Sequence, residues 1–200
     1  MVKPPEEAPP SHLDGLLSGH LKRRRLGMLL PFIPAGSRIL DVGCGDGALL
    51  ALLPAVSRYL GVDSRADLVR HNQRRLGREN VSFIRADFPA LEWSGPPFDR
   101  VVLAAVLEHL DGLEPVLDRL RPLVGEGGLL LITTPAPFSR FVLQAGALFR
   151  LFARDSLAEH QRYYRRNDFH HRPEWRLERY RRFEFGLNQL LVLRRLRTEP

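Results

Sequence analysis

A glycine-rich turn and a carboxylate follow two successive apolar runs of the sequence. The turn directly follows Arg38–Val42, a run in which Asp41 is the fourth residue. Glycine is needed where the backbone bends sharply or lies against a ligand, because a Cβ would occupy that space. Asp63 ends the next apolar run, where its carboxylate could accept hydrogen bonds from both hydroxyls of a ribose. We therefore expect a nucleoside-containing ligand at Asp41, Asp63 and the turn glycines. These glycines are Gly43, Gly45 and Gly47.

The glycine spacing alone does not identify the ligand, because residues 43–48 also satisfy the dinucleotide fingerprint GxGxx(G/A). A dinucleotide would place its pyrophosphate over the N-terminus of the following helix, where the carboxylate of Asp46 would repel it. S-adenosylmethionine has no phosphate, and it carries a positive amine and a sulfonium. Asp41 and Asp46 therefore favour S-adenosylmethionine as the cofactor.

A further acidic residue follows the third apolar run. Asp87 could accept a hydrogen bond from an adenine amine, and the ring of the neighbouring Phe88 could cover the base. As an alternative, Asp63 and Asp87 could each cap a following helix. Gly45 and Gly47 could likewise be ordinary turn residues. All these residues follow strands of one predicted sheet, which favours a shared ligand site.

The elements that must position these residues alternate between short apolar runs and amphipathic stretches. This alternation predicts a parallel sheet covered by helices on both faces, an α/β fold of the doubly wound type with right-handed crossovers. The predicted strands are Arg38–Val42, Arg58–Val62, Val81–Arg85, Phe98–Ala104 and Gly128–Thr133. The predicted helices are His12–Leu30 with Ser11 as N-cap, Ala48–Leu53, Arg65–Leu76 and Leu113–Leu123.

Two later segments depart from the alternation. Phe138–Phe152 is predicted to form a helix with phenylalanines along one side, and it is too short to span a bilayer. Trp175–Phe185 and Leu187–Leu196 are separated by little more than Gly186. This spacing favours an antiparallel hairpin that closes the sheet.

The sequence resembles the class I S-adenosylmethionine-dependent methyltransferases. The resemblance rests on five blocks in the family's order and spacing, which are ILDVGCGDG, GVD, RADF, FDRVVLAAVLEHL and RPLVGEGGLLLITTP. It runs from about Arg38 to Thr134 and more loosely to Arg195. It implies a Rossmann-like sheet of seven strands, mostly parallel, with an antiparallel last strand.

The resemblance also implies which residues contact the cofactor. Gly43 and Gly45 would approach the methionyl part of S-adenosylmethionine. Asp63 would hold the ribose, and Asp87 would hold the adenine. Cys44 has no partner base in view, so we interpret it as a small turn residue.

Glu108 and His109, just after the fourth predicted strand, are the candidate catalytic residues. The segment VLEHL resembles the ubiquinone-biosynthesis O-methyltransferases and their small-molecule relatives. Histidine has an ordinary pKa of about 6.5, which suits a general base that removes a proton from a hydroxyl acceptor. A histidine that caps or packs at a helix start is the alternative interpretation of His109.

The same segment also resembles the small-RNA 3′-terminal ribose methyltransferases, which bind a metal through two glutamates and two histidines. Glu108, His109 and His160 could supply part of this set. Ala105 stands where the family has a carboxylate, so we predict no metal site. The adjacent histidines at 170 and 171 are interpreted as loop residues.

Length and composition predict a single domain over residues 12–200, preceded by a disordered tail over residues 1–11. Within the domain, residues 135–173 are expected to form an insertion, or lid, on the acceptor side. Cys44 is the single cysteine, which excludes an intrachain disulfide and suits the reducing cytoplasm.

The formal net charge of +7 is concentrated near the end of the chain, because residues 150–200 hold 13 arginines and 7 carboxylates. Such asymmetry can mark an anionic partner, although an arginine-rich proteome would produce it as well. The apolar helix Phe138–Phe152 and the arginines after it favour an acceptor with apolar and anionic parts, and peripheral contact with a membrane. These arginines are Arg162, Arg165, Arg166, Arg172 and Arg176.

Three functions remain open from the sequence. The leading prediction is an S-adenosylmethionine-dependent methyltransferase that acts on a hydroxyl of a small or lipid-linked acceptor. An RNA methyltransferase is favoured by the arginine-rich end, but no RNA-binding module or stacking-aromatic motif precedes the core. A non-catalytic cofactor-binding module is the third, because one fold hosts many functions. Neither the acceptor's identity nor the oligomeric state follows from the sequence.

Overall fold

A seven-stranded sheet forms the centre of the protein in the computed structural model, which describes residues 16–139, 162–170 and 172–197. The strands lie in the order β3-β2-β1-β4-β5-β7-β6. They are β1 (Arg38–Val42), β2 (Arg58–Asp63), β3 (Val81–Arg85), β4 (Phe98–Ala104), β5 (Val124–Pro135), β6 (Trp175–Phe183) and β7 (Asn188–Arg195).

Strands β1 to β5 pair in parallel, whereas β7 pairs antiparallel with both β5 and β6. The predictions of a doubly wound, Rossmann-like sheet and of an antiparallel last strand are therefore confirmed. The strand order reverses between β1 and β4, and open α/β sheets bind ligands in the crevice at such a reversal, beyond the carboxyl ends of the strands. This edge carries the glycine turn and the three strand-end aspartates.

The described residues contain three α-helices, which are α1 (Leu16–Gly27), α2 (Ala66–Leu76) and α3 (Leu113–Leu120). Leu26 of α1 and Val69 of α2 belong to the same apolar cluster as Val102 of β4. Leu117 of α3 belongs to a second cluster, which contains Leu103. Because successive side chains of a strand point to opposite faces, α1 and α2 cover one face of the sheet and α3 covers the other.

The prediction of a helix over Ala48–Leu53 is wrong in length and type, since the structure has a single 3₁₀ turn over Leu50–Leu52. Gly47 and Pro54 bracket this stretch, so it is too short to repay the cost of nucleating an α-helix. Its leucines are still used for packing, because Leu49 and Leu50 are buried. The apolar spacing therefore predicted the burial of these leucines correctly and the length of the helix incorrectly.

Other boundaries move by a few residues, and one predicted helix cannot be compared. The first helix ends at Gly27 and the helix after β4 ends at Leu120, three residues before each predicted end. Strand β5 is longer than predicted and includes Val124 to Gly127. The predicted N-cap Ser11 and the predicted helix Phe138–Phe152 beyond Ser139 lie outside the described residues.

Gln189 links β7 to the last part of the long connection between β5 and β6. Its side-chain amide is fully buried and donates to the carbonyl oxygens of Tyr164 (2.8 Å) and Pro135 (3.2 Å). The Tyr180 hydroxyl donates to its Oε1 at 3.3 Å. The Gln189 side chain therefore links both the end of β5 and the backbone at Tyr164 to β7.

Replacing Gln189 with leucine should lower the free energy of unfolding by about 1–3 kcal/mol, because the carbonyl oxygens of the buried Tyr164 and the half-buried Pro135 lose their donor. Urea unfolding followed by circular dichroism would measure the shift in the midpoint. A Gln189→Leu protein with an unchanged midpoint and slope would contradict this structural role.

Candidate functional site

Two cavities lie side by side at the carboxyl edge of β1, β2 and β4. The first, which we call the glycine cavity, has a volume of about 340 Å³ and is lined by Asp41, the glycine turn and residues of α1. The second, the aspartate cavity, has a volume of about 240 Å³ and is lined by Asp63, Asp87 and His109. Gly43 lines both cavities, so the two cavities are neighbours on either side of this residue.

A larger cavity of about 500 Å³ lies at the opposite edge of the sheet. It is lined by residues around Arg38, Asp99 and Gly127, which belong to the starts of strands and the loops before them. Arg38 and Asp99 pair with each other there at 3.0 Å, so these charges satisfy one another. Because ligands of this fold class bind beyond the carboxyl ends of the strands, the two smaller cavities form the candidate site.

The turn between β1 and the 3₁₀ turn at Leu50–Leu52 requires glycines. Gly43 and Gly47 have φ of 68° and 75°, a region that costs other residues free energy. A Cβ on Gly43 would overlap Val106 Cγ2, and a Cβ on Gly47 would lie 2.8 Å from Leu76 Cδ1. The absence of a side chain at Gly43 therefore lets Val106 pack directly against the turn beside the two cavities.

Asp63 connects the end of β2 to the glycine turn. Its Oδ2 accepts from the Gly45 amide at 2.9 Å, and its Oδ1 accepts from the Arg65 amide at 3.0 Å. The carboxylate is buried, yet it lines the aspartate cavity. Oδ1 also lies 3.5 Å from Arg65 Nε, on an exposed side chain. Because a carboxylate has about four acceptor positions, Oδ2 retains capacity for a ribose hydroxyl, and Oδ1 gains it when the Arg65 guanidinium moves aside.

Asp41 is buried beneath the glycine cavity. The Tyr59 hydroxyl donates to Asp41 Oδ2 at 2.6 Å. Burial raises the pKa of Asp41 to about 7, and the hydrogen bond from Tyr59 only partly opposes this rise. Asp41 is therefore poised to change charge near neutral pH when a positive group enters the cavity.

Asp46 forms an ion pair with a lysine, although the sequence led us to expect a carboxylate that would repel a pyrophosphate. Lys22 Nζ of α1 lies 2.5 Å from Asp46 Oδ1, and the Ala48 amide donates to the same oxygen at 3.1 Å. Partial burial raises the pKa of Asp46, but the hydrogen bond and charge of Lys22 outweigh it and lower the pKa overall. Because Lys22 compensates its charge, Asp46 is a weaker argument against a pyrophosphate than the sequence suggested.

Asp87 and Phe88 both line the aspartate cavity, as the sequence predicted for an adenine subsite. Asp87 is exposed, so its carboxylate can meet a ligand at the cavity wall. Phe88 is buried in the core and begins a 3₁₀ turn. Its ring contributes part of the cavity wall, and most of its surface packs against the protein.

Glu108 and His109 are adjacent in sequence but face different surroundings. Glu108 is buried, and the Thr134 hydroxyl donates to its Oε2 at 3.0 Å. Burial raises the pKa of Glu108. His109 is exposed and lines the aspartate cavity, which Glu108 does not. The structure therefore brings only His109 together with Asp63 and Asp87.

The sequence prediction missed the contribution of α1. Lys22, Arg25 and Leu26 line the glycine cavity. Arg25 Nε is buried without a hydrogen-bond partner among the described residues, so a donor is left unused beside this cavity. The run Lys22–Arg25 at the end of a predicted amphipathic helix was the available signal. An unused guanidinium donor, a glycine between the two cavities and a buried acid fit the carboxylate and amine of a methionyl group.

The described residues contain no group of three histidine, cysteine or acidic side chains that could hold a metal ion. His160, which the metal hypothesis invoked, lies outside them. Within the same ranges, no helix is long and apolar enough to cross a bilayer.

A family model described as a methyltransferase domain matches residues 14–181 of the chain. An uncharacterised methyltransferase of Mycobacterium tuberculosis H37Rv is 37% identical over 109 residues, which cover 54% of this chain and 55% of the relative. The trans-aconitate 2-methyltransferase of Methylobacterium nodulans is 35% identical over 114 residues, covering 54% and 42%. The chain thus spans about half the length of the curated relatives it matches.

Solved structures show the same fold. A S-adenosylmethionine-dependent methyltransferase of Mesorhizobium loti aligns with a TM-score of 0.68 at 18% identity, over 92% of this chain and 100% of that one. Coclaurine N-methyltransferase bound to S-adenosylhomocysteine aligns with a TM-score of 0.53 at 23% identity, over 62% and 38%. The predicted resemblance, the fold and S-adenosylmethionine as the cofactor agree with these matches. The chain belongs to the methyltransferase-domain family.

Proposed function

We propose that the protein is an S-adenosylmethionine-dependent methyltransferase that methylates a hydroxyl of a small or lipid-linked acceptor. The observation that carries the proposal is the pair of cavities on either side of Gly43. One offers cation-binding and carboxylate-binding groups, and the other offers acceptors for a ribose and an adenine. S-adenosylmethionine has these parts in one molecule, and it supplies an activated methyl group on its sulfonium.

The residues of the glycine cavity would hold the methionyl part. Arg25 has an unused donor for the carboxylate, and the buried Asp41 would neutralise the amine. In the aspartate cavity, Asp63 would accept the ribose hydroxyls and Asp87 the adenine amine. Because the Gly45 and Arg65 amides already orient the carboxylate of Asp63, little reorganisation is needed on binding.

His109 is the group proposed to take the proton from a hydroxyl acceptor. It is exposed at the cavity and follows the buried Glu108, whose bond from Thr134 fixes the backbone turn that carries both residues. The mouse mitochondrial ubiquinone biosynthesis O-methyltransferase, 32% identical over 107 residues, supports an oxygen acceptor. This chain covers only 29% of that relative, and another relative, from Papaver bracteatum, is named as a probable N-methyltransferase.

The described part of the β5–β6 connection that begins at Arg162 lies next to Glu108 and His109. The Arg162 amide donates to the Glu108 carbonyl oxygen at 3.1 Å, and the Arg162 guanidinium lies 3.7 Å from Asp111. These contacts support the proposal that residues 162–170 of the predicted lid lie on the acceptor side of the site. Residues 140–161 of that lid lie outside the described residues. A single, buried cysteine supports a reducing, cytoplasmic location.

Removing the Asp63 carboxylate should weaken S-adenosylmethionine binding at least about ten-fold, because hydrogen bonds to a charged group contribute about 1.5–3 kcal/mol. Isothermal titration calorimetry of Asp63→Ala would measure the affinity. Asp67→Ala, an exposed acid in the first turn of α2, is the control with the same charge change. Unchanged affinity of Asp63→Ala would refute the cofactor site.

Cofactor affinity should rise about ten-fold between pH 6 and pH 8. In the free protein, burial raises the pKa of Asp41 to about 7, so this carboxyl is mostly neutral at pH 6. A bound positive amine would favour the charged form, so binding below pH 7 expels a proton from Asp41 and is weaker there. The titration would be repeated with Asp41→Asn, which shares every other pH effect, including ionisation of the ligand. Parallel pH profiles for the two proteins would contradict this role.

If His109 is the general base, His109→Ala should lower turnover by about 10²-fold and leave cofactor affinity unchanged. Transfer of tritium from methyl-labelled S-adenosylmethionine to a panel of phenols, quinols and prenylated phenols would supply the rates. Asp63→Ala, whose cofactor affinity should fall, is the control for a loss of labelling caused by weaker cofactor binding. Equal loss of turnover and affinity would assign His109 to packing or cofactor binding. A wild-type protein that binds the cofactor but labels no hydroxyl compound would exclude this acceptor class.

A further inference from the structure

The turn between β6 and β7 places an exposed phenylalanine, Phe185, at the tip of a hairpin. Glu184, Phe185 and Gly186 have φ of 51°, 55° and 84° in succession. A left-handed conformation costs a bulky residue free energy, and glycine or asparagine are the usual occupants. Phe185 is 103% exposed, so no packing against the described residues offsets that cost.

This tip lies at the same edge of the sheet as the candidate site. Strand β7 pairs with β5 so that Asn188 lies opposite Pro135, and the Ala136 amide donates to the Leu187 carbonyl oxygen at 2.8 Å. The turn therefore lies beside the carboxyl end of β5. This is the edge of the sheet at which the two ligand cavities lie. Phe138, two residues beyond Ala136, is the other large aromatic side chain exposed there, at 57%.

The charges behind the tip are positive. The carboxylate of Glu184 is turned inward, where it accepts from the Asn188 amide nitrogen at 2.5 Å. Glu178 is already paired with Arg176 and Arg194. Three further arginines of β6 are exposed and have no carboxylate partner among the described residues. They are Arg179, Arg181 and Arg182.

We propose that this hairpin docks on an anionic phospholipid surface, with Phe185 inserted among the headgroups and the exposed arginines of β6 against the phosphates. An apolar group at the tip with cations behind it matches the layering of a membrane, where anionic headgroups overlie hydrocarbon. A protruding phenylalanine needs a preformed pocket in a protein partner, whereas a bilayer receives it without one. Docking does not require methyl transfer, but it would turn the candidate site toward the lipid.

Flotation of the full chain with vesicles tests the proposal directly. We expect binding to equimolar phosphatidylcholine and phosphatidylglycerol, loss of binding at high salt, and none to phosphatidylcholine alone. Phe185→Asn should lower the partition coefficient about ten-fold, since burial of a phenylalanine is worth a factor of this size. Asparagine tolerates the left-handed turn, so the variant should melt no lower than the wild type.

Matched variants separate the hairpin from general surface effects. Leu21→Asn removes another exposed apolar side chain, on α1, and should bind vesicles like the wild type. Arg179→Gln with Arg181→Gln should weaken binding several-fold more than Arg70→Gln with Arg74→Gln on α2, which changes the net charge equally. Absence of vesicle binding, or Phe185→Asn binding like the wild type, would overturn the proposal. Binding to polyuridine without binding to vesicles would overturn it in favour of RNA.

Discussion

Two hydrogen bonds that Asp63 accepts from backbone amides hold the candidate site together. They join the Gly45 amide, on the turn after β1, to the end of β2 and to the Arg65 amide that precedes α2. Without this carboxylate, the Gly45 and Arg65 amides would lose their acceptor, and the glycine turn would lose its link to the end of β2. The same carboxylate faces the aspartate cavity, so the group that builds the site is also available to its ligand. Such double use explains how a short glycine turn can be shaped before a cofactor arrives.

Local sequence was sufficient for features set by short-range chemistry. The run before the glycine turn had to be a buried strand, and carboxyl ends of parallel strands must share an edge, so Asp41, Asp63 and Asp87 were expected together. The hairpin followed from two apolar runs around Gly186. These inferences needed only periodicity and the geometry of parallel pairing.

Features that depend on distant contacts could not be predicted. Nothing near Asp46 shows that Lys22, 24 residues earlier, compensates its charge. Glu108 and His109 are neighbours in sequence, yet Thr134 on β5 draws only Glu108 inward. The leucines after Gly47 have helical spacing, but Pro54 and the packing of Leu49 and Leu50 leave room for one 3₁₀ turn. In each case tertiary packing decided between arrangements that local propensity left equal.

The position of β7 bears on how the chain folds as it is synthesised. Strand β7 lies between β5 and β6, although it follows both in sequence. Until Asn188–Arg195 has left the ribosome, β5 has an open edge and β6 has no neighbour with which to pair. Open strand edges invite pairing between nascent chains, and long-range strand insertion is slow. This half of the sheet therefore forms late, and its strand edges stay open to other chains until translation is nearly complete.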